Sequence, residues 1–258
     1  MRVAILAGGL GTRLAEETEI RPKPMVEIGG HPIMWHIMRH FDHFGFKEFV
    51  IALGYKGDFI RRFFTDYHAN ASNLKIDLAR GITQPHGAGP AEQWIIELIE
   101  TGFHTNTGGR IKRLAPYLGN ETFLLTWGDG VSDLDLSALI EFHRSHGRLA
   151  TVTAVHPPPR FGEVVLDGER VVGYSSSPMQ EAWINGAFFV LEPEVFEYID
   201  GDSTQWEKEP LERLAKDEQL MAYRHDGYWQ CMDTMREKRL LEELWASGEA
   251  PWKMWADQ

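Results

Sequence analysis

The chain has one cysteine, Cys231, which excludes an internal disulfide and makes a cytosolic setting the simple expectation. It is also short of cations. Lys and Arg number 26 against 38 Asp and Glu, a formal net charge of −12. That balance excludes nonspecific nucleic-acid binding, which needs a basic face. It leaves room for an anionic small substrate, because a few local cations can dominate one cleft. No apolar run approaches the roughly 18 residues of a membrane span, so no membrane partner is expected. Gly8 and Gly9 break the one early apolar run, so no signal peptide is expected either. The 11 histidines show no paired ligand spacing, which argues against a structural zinc site of clustered Cys and His. Repeats and low-complexity segments are absent.

What is present is an ordinary globular composition, 43% apolar and 25% charged, over 258 residues. That length suffices for one large domain with a substantial core. Buried strands are expected at Val3 to Ala7, Glu48 to Leu53, Thr122 to Trp127, Leu149 to Val155 and Gly186 to Leu191. Helices are expected at Ile33 to Phe44, Asp58 to Tyr67, Leu136 to Ser145, Trp206 to Ala215 and Met235 to Trp245. Phe161 to Val172 reads as a hairpin turning at Asp167-Gly168, residues 81 to 94 as a long loop, and the chain after Glu192 as mainly helical. Strands alternating with helices imply a layered α/β domain with parallel pairing. Ligands of such sheets lie outside the carboxyl ends of the strands.

The first strand ends in Gly8-Gly9-Leu10-Gly11-Thr12-Arg13, and Pro22-Lys23-Pro24 follows. Glycines let backbone N–H groups approach a ligand that a side chain would block. One arginine, one lysine and such a loop make a place for several phosphates. A Walker A loop would need Gly-Lys-Ser/Thr, and a dinucleotide fingerprint a third glycine where Leu14 stands, so neither matches. Thr105-Asn106-Thr107-Gly108-Gly109-Arg110 is either a second anion-binding element, with Arg110 as a bidentate fork, or a surface turn. Asp129 follows the Thr122 to Trp127 strand and Asp233 precedes a helix. Two carboxylates beside phosphates suit Mg²⁺, which prefers hard oxygen; alone, Asp129 also reads as a turn residue and Asp233 as a helix N-cap. Trp245, Trp252 and Trp255 at the end of the chain either cover a neighbouring subunit or fold back on their own domain.

The run Leu6-Ala7-Gly8-Gly9-Leu10-Gly11-Thr12-Arg13 with Pro22-Lys23-Pro24-Met25 resembles the signature of sugar-phosphate nucleotidyltransferases. Later motifs are similar to the glucose-1-phosphate cytidylyltransferases within that family. They include Thr107-Gly108-Gly109-Arg110, Gly128-Asp129-Gly130, Ile184-Asn185-Gly186, Trp206-Glu207-x-Glu209-Pro210-Leu211 and Trp229-Gln230-x-Met232-Asp233-Thr234.

The resemblance implies a single Rossmann-like domain over 1–258. Its mixed, mostly parallel sheet is flanked by helices, with a small β-hairpin subregion and a helical C-terminus. Residues 1–150 would mainly bind nucleotide and 151–258 mainly the sugar. The implied reaction takes CTP and a sugar 1-phosphate, α-D-glucose 1-phosphate, to CDP-glucose and pyrophosphate. By resemblance Arg13 holds the β- and γ-phosphates, Lys23 neutralises the α-phosphate and the incoming phosphate, and Asp129 and Asp233 hold Mg²⁺. Leu6, Ala7, Gly8, Gly9, Leu10, Gly11 and Thr12 cradle the nucleotide. Thr105 and Arg110 contact CTP, and Arg110 also reaches the sugar phosphate. Trp183, Asn185, Gly186, Glu207 and Glu209 line the sugar pocket, and the protein is a homo-oligomer.

Three positions depart from the pattern. Ser177 stands where the family has a lysine on the sugar phosphate, Ala187 replaces a glycine, and Cys231 replaces a proline. A charge-assisted contact is worth about 1.5–3 kcal/mol. Its loss at Ser177 motivates two alternatives: a cytidylyltransferase for another phosphorylated acceptor, or an inactive nucleotide-sugar-binding protein.

Overall fold

The computed structural model describes residues 1–87, 89, 92–158, 163–175 and 182–256. Seven strands form its main sheet: β1 (Val3–Leu6), β2 (Glu48–Leu53), β3 (Ile95–Glu100), β4 (Phe123–Trp127), β5 (Ala150–Val155), β6 (Ile184–Leu191) and β7 (Leu220–His225). Their order is β7–β5–β6–β4–β1–β2–β3. β1 pairs in parallel with β2 and β4, β2 with β3, and β5 with β7. β6 alone among these runs antiparallel to its neighbours β4 and β5.

The apolar runs read as buried strands because the sheet is covered on both faces. Val3 and Ile5 point into one core, Ala4 and Leu6 into the other. The first core is closed by helices α1 (Ile33–His43), α4 (Leu136–His146) and α6 (Met235–Ala246), the second by α3 (Thr107–Leu118) and α5 (Glu209–Lys216); α2 (Gly57–Thr65) packs Ile60 into the first core. In α1, Ile33, Ile37 and Phe41 recur at helical spacing and are all fully buried.

Two expectations are corrected. Within the loop expected over 81 to 94, Ile82–His86 is a strand pairing with Asn73–Asp77. Every residue of that strand is exposed, so no apolar alternation marks it. The chain after Glu192 is not all helical, since β7 lies on the edge beside β5. The other hairpin pairs Glu163–Asp167 with Arg170–Ser175 and turns at Gly168, φ +62°. None of the helices among the described residues is long and apolar enough to cross a membrane.

The tryptophan tail folds back on its own domain. Trp252 is 1% exposed, and its Nε1 donates to Nδ1 of His36 at 3.4 Å, while Nε2 of His36 donates to the Ile28 carbonyl at 2.8 Å. Trp255 and Trp35 meet edge to face at 5.9 Å, and Arg39 is cationic over both rings. Burial pulls His36 and His40 down from 6.5 to about 4. Below pH 6.5 the unfolded chain therefore takes up protons that the folded chain refuses until about pH 4. Stability should fall through that window by about 1–3 kcal/mol per histidine, read as a falling melting temperature between pH 6.5 and 4.

Candidate active site

The carboxyl ends of β1 and β4 open on a cavity of about 550 Å³. The loop from β1 enters it through Gly11, whose φ of +63° starts the turn Thr12–Leu14. Gly8 is required for a different reason: a Cβ there would lie 2.3 Å from the Arg110 guanidinium. Gly8→Ala should cost about 1–3 kcal/mol by overpacking, seen as a lower melting temperature.

Arg110 is 5% exposed and works from beneath the loop. Its terminal nitrogens donate to the carbonyls of Gly8 (3.0 Å), Leu53 (3.0 Å) and Phe103 (3.4 Å) and to Thr101 Oγ1 (2.7 Å). It lines the cavity but is committed to protein acceptors, so in this structure it fastens three loops together. The Thr105 to Arg110 segment is not a surface turn. It runs into the first turn of α3, and the amides of Gly108 and Gly109 both donate to the Thr204 carbonyl. A Cβ on Gly109 would meet Asp202 Cα at 2.6 Å, so that glycine serves close packing. Thr105 is buried against the cavity wall.

Three further chain segments converge on the cavity. Gly128 packs so close to Pro24 that a Cβ would lie 2.9 Å from its ring. A two-stranded ladder, Gly130–Ser132 with Trp229–Cys231, aligns Gly130 with Cys231. It sets Asp129 and Asp233 side by side although 104 residues separate them in the sequence. Lys23, in the turn after Pro22, reaches between them. Its Nζ lies 2.6 Å from Asp129 Oδ2 and 2.5 Å from Asp233 Oδ1. Arg13 lies 2.8 Å from the other oxygen of Asp233 and is otherwise largely exposed. Burial lowers the Lys23 pKa, but the charges and hydrogen bonds of the two aspartates outweigh it and hold the ammonium above its ordinary value. For Asp233, burial acts upward, and Lys23 with Arg13 brings the carboxyl below its usual range.

Asp233 is not the helix N-cap. Thr234 caps α6 in a capping box with Glu237, whose Oε2 also accepts the Asp233 amide at 2.6 Å. Glu237→Ala should cost about 1 kcal/mol, a drop of about 2–4 °C in melting temperature. Cys231, Asp233 and Glu237 bring potential ligand atoms within 4.8 Å of one another. Glu237 is spent on the cap. Burial, then the charges of Asp233, Glu237 and Asp129, push the Cys231 thiol up to about 12, so it stays protonated. Asp129 and Asp233, with hard oxygens facing the cavity, are the pair that could hold a cation.

Of the residues expected around the sugar, Trp183, Asn185 and Gly186 lie at the start of β6, which its reversed direction brings to the same sheet edge. Trp183 packs on His156 at 3.9 Å, and the Gly186 carbonyl accepts Trp229 Nε1 at 2.7 Å. Asn185 accepts the Ala187 amide, and Ala187 is left-handed at φ +62°. Ala187→Gly should therefore stabilise the protein by about 1 kcal/mol, measured by denaturant unfolding. Glu207 accepts Thr107 Oγ1 at 2.6 Å, next to the cavity, while Glu209 is exposed at the start of α5. Ser177 lies outside the described residues. Sequence reasoning missed Phe103, His104 and Trp127, which also line the cavity. Trp127 directly precedes Gly128-Asp129, and Phe103-His104 directly precedes Thr105, so adjacency was the available signal.

A family model for nucleotidyl transferases matches residues 2–245. The chain belongs to the nucleotidyl transferase family. It is an enzyme of that type, and its relatives sharpen the kind. It is 49% identical over 257 residues to glucose-1-phosphate cytidylyltransferase of Salmonella typhi, covering 99% of this chain and 100% of the relative. It is 42% identical over 256 residues to a probable glucose-1-phosphate cytidylyltransferase of Bacillus subtilis (strain 168), with 99% and 100% covered. Among solved structures, UDP-glucose pyrophosphorylase complexed with UDP-glucose aligns with TM-score 0.68 at 17% identity, over 96% of this chain and 98% of that one, a likeness of fold.

Proposed function

We propose that the enzyme transfers the cytidylyl group of CTP to α-D-glucose 1-phosphate, giving CDP-glucose and pyrophosphate. The observation that carries this reading is the convergence of Lys23, Arg13, Asp129 and Asp233 at the mouth of the glycine loop. The full-length relatives at 49% and 42% identity supply the substrates.

An acceptor phosphate oxygen bonds to the α-phosphorus of CTP in line, and the bond from that phosphorus to the bridging oxygen breaks, releasing pyrophosphate. The protein supplies position and charge rather than covalent chemistry. Arg13, exposed at the cavity mouth, holds the β- and γ-phosphates as they leave. Lys23 turns its ammonium from the carboxylates to the α-phosphate and the incoming phosphate. Amides of the Gly8–Thr12 loop, kept open by Gly8, Gly9 and Gly11 and fastened by Arg110, receive the nucleotide, with Thr105 on the wall. Trp183, Asn185, Gly186 and Glu207 accept the sugar.

The fit for Mg²⁺ is the donor set itself: two carboxylates already converge on one cation, the Lys23 ammonium. Bound there, Mg²⁺ would neutralise phosphate charge, held by Asp129 and Asp233.

On this reading residues 1–150 serve mainly the nucleotide and 151–258 mainly the sugar within one domain. The reading places the enzyme in the cytosol, consistent with a single cysteine. It also makes the enzyme a homo-oligomer, supported by exposed Val165, Leu166 and Val171 on a two-stranded hairpin that would be marginal alone. The relatives do not favour another acceptor, and the assembled charged cluster does not favour an inactive protein. The test is pyrophosphate release from CTP with a panel of sugar phosphates. Glucose 1-phosphate should give the highest kcat/KM; another acceptor far ahead of it would restore the reading that Ser177 prompted.

A further inference from the structure

The sheet order lays the cavity out from side to side. β1, with the glycine loop, lies between β4 and β2. On the β4 side stand Asp129, Asp233 and Lys23, and beyond them the start of β6. On the opposite side, beyond β2, comes the loop from β3 into α3. Among the described residues that end offers no free cation, since the terminal nitrogens of Arg110 are spent on protein acceptors. It offers Phe103. The ring lines the cavity yet is 52% exposed, unusual for a large apolar side chain facing a polar cleft. His104 meets it edge to face at 4.8 Å and 79°, and Tyr55 at 6.0 Å and 69°. Its backbone is held as well, the Phe103 carbonyl by Arg110 and the Asn106 amide by the Asp202 carbonyl at 2.8 Å. The ring is presented to the cavity rather than folded away.

We propose that Phe103, braced by Tyr55 and His104, is the surface on which the base of the nucleotide stacks; this rests on the nucleotidyl-transfer reading. With the phosphates at Arg13 and Lys23 and the acceptor entering from the β6 side, the nucleoside extends toward β3. Every base has a π-face, so stacking tolerates any of them. Phe103 therefore supplies affinity for the nucleoside, while the choice of cytosine falls to hydrogen-bonding groups on the same wall.

The test compares full-length wild type with Phe103→Ala, Phe103→Leu and Phe103→Trp, first checked for folding by circular dichroism. Three readouts are kcat and KM for CTP, inhibition by inorganic tripolyphosphate, which carries the phosphates without a base, and calorimetric binding of CTP. In the alanine variant KM and Kd for CTP should rise about five- to a hundredfold with kcat within about threefold. Inhibition by tripolyphosphate should not change. Leucine should leave most of the loss in place and tryptophan should restore binding. Unchanged CTP binding in the alanine variant overturns the proposal. So does an equal weakening of tripolyphosphate, which would mean that the loop, not the stack, was lost. If the wild type binds CTP but releases no pyrophosphate, the transfer reading fails, and a Phe103-dependent Kd still upholds the stack.

Discussion

Lys23→Ala should lower kcat by about a thousandfold or more while the protein stays folded. Lys23 touches both aspartates, through contacts of 2.5 and 2.6 Å. In phosphoryl-type transfer, removing a cation aimed at the developing charge costs about 10²–10⁵ in rate. A thousandfold is about 4 kcal/mol of transition-state stabilisation. The substitution also removes the ammonium from between Asp129 and Asp233, leaving Asp233 its contact with Arg13, so the variant should melt lower than wild type without Mg²⁺ and recover much of the loss with it. Lys23→Arg should not rescue turnover, because a planar fork cannot occupy the position of a compact ammonium between two carboxylates. Single-turnover rates with saturating CTP check the first claim, and paired melting curves check the second. A fall in kcat below tenfold contradicts the role.

Asp129→Asn should be nearly as damaging, about a thousandfold or more, by a different route. The amide keeps the shape of the side chain and the backbone pairing of the Asp129 carbonyl with the Met232 amide at 2.8 Å. It removes the charge that makes a hard-oxygen pair with Asp233. The expected signature is a rate that no longer saturates with Mg²⁺ in the accessible range, together with loss of the Mg²⁺-induced rise in melting temperature. In this variant Lys23 keeps its contact with Asp233. A wild-type Mg²⁺ dependence would show that Asp129 is a turn residue and no more.

Much of this was legible in the chain. The Val3–Leu6 strand, its glycine turn and the α1 stripe of Ile33, Ile37 and Phe41 follow from runs and periods that burial enforces on both faces of the sheet. The carboxylates were legible as residues after a strand and before a helix. Their meeting was not, because it depends on the Gly130–Ser132 pairing with Trp229–Cys231, two three-residue strands too short to leave a pattern. β7 was invisible for a related reason: on the sheet edge its residues are exposed or only half buried, so its run shows no clean alternation. Arg110 was read as a ligand group because an arginine beside two glycines looks the same whether it faces an anion or three backbone carbonyls. The structure adds the carbonyl contacts, with Gly8 packed against the guanidinium, and the sequence shows neither. The tryptophan tail was undecided in sequence and is decided by His36, a buried acceptor for Trp252 on the same chain.

The most direct test of the central claim is ³¹P NMR of the purified protein with CTP, α-D-glucose 1-phosphate and Mg²⁺. The account predicts CDP-glucose and pyrophosphate accumulating in equal amounts, only when all three are present and not with Asp129→Asn. Persistence of both substrates, or hydrolysis of CTP to phosphate without a sugar-linked diphosphate, would contradict it.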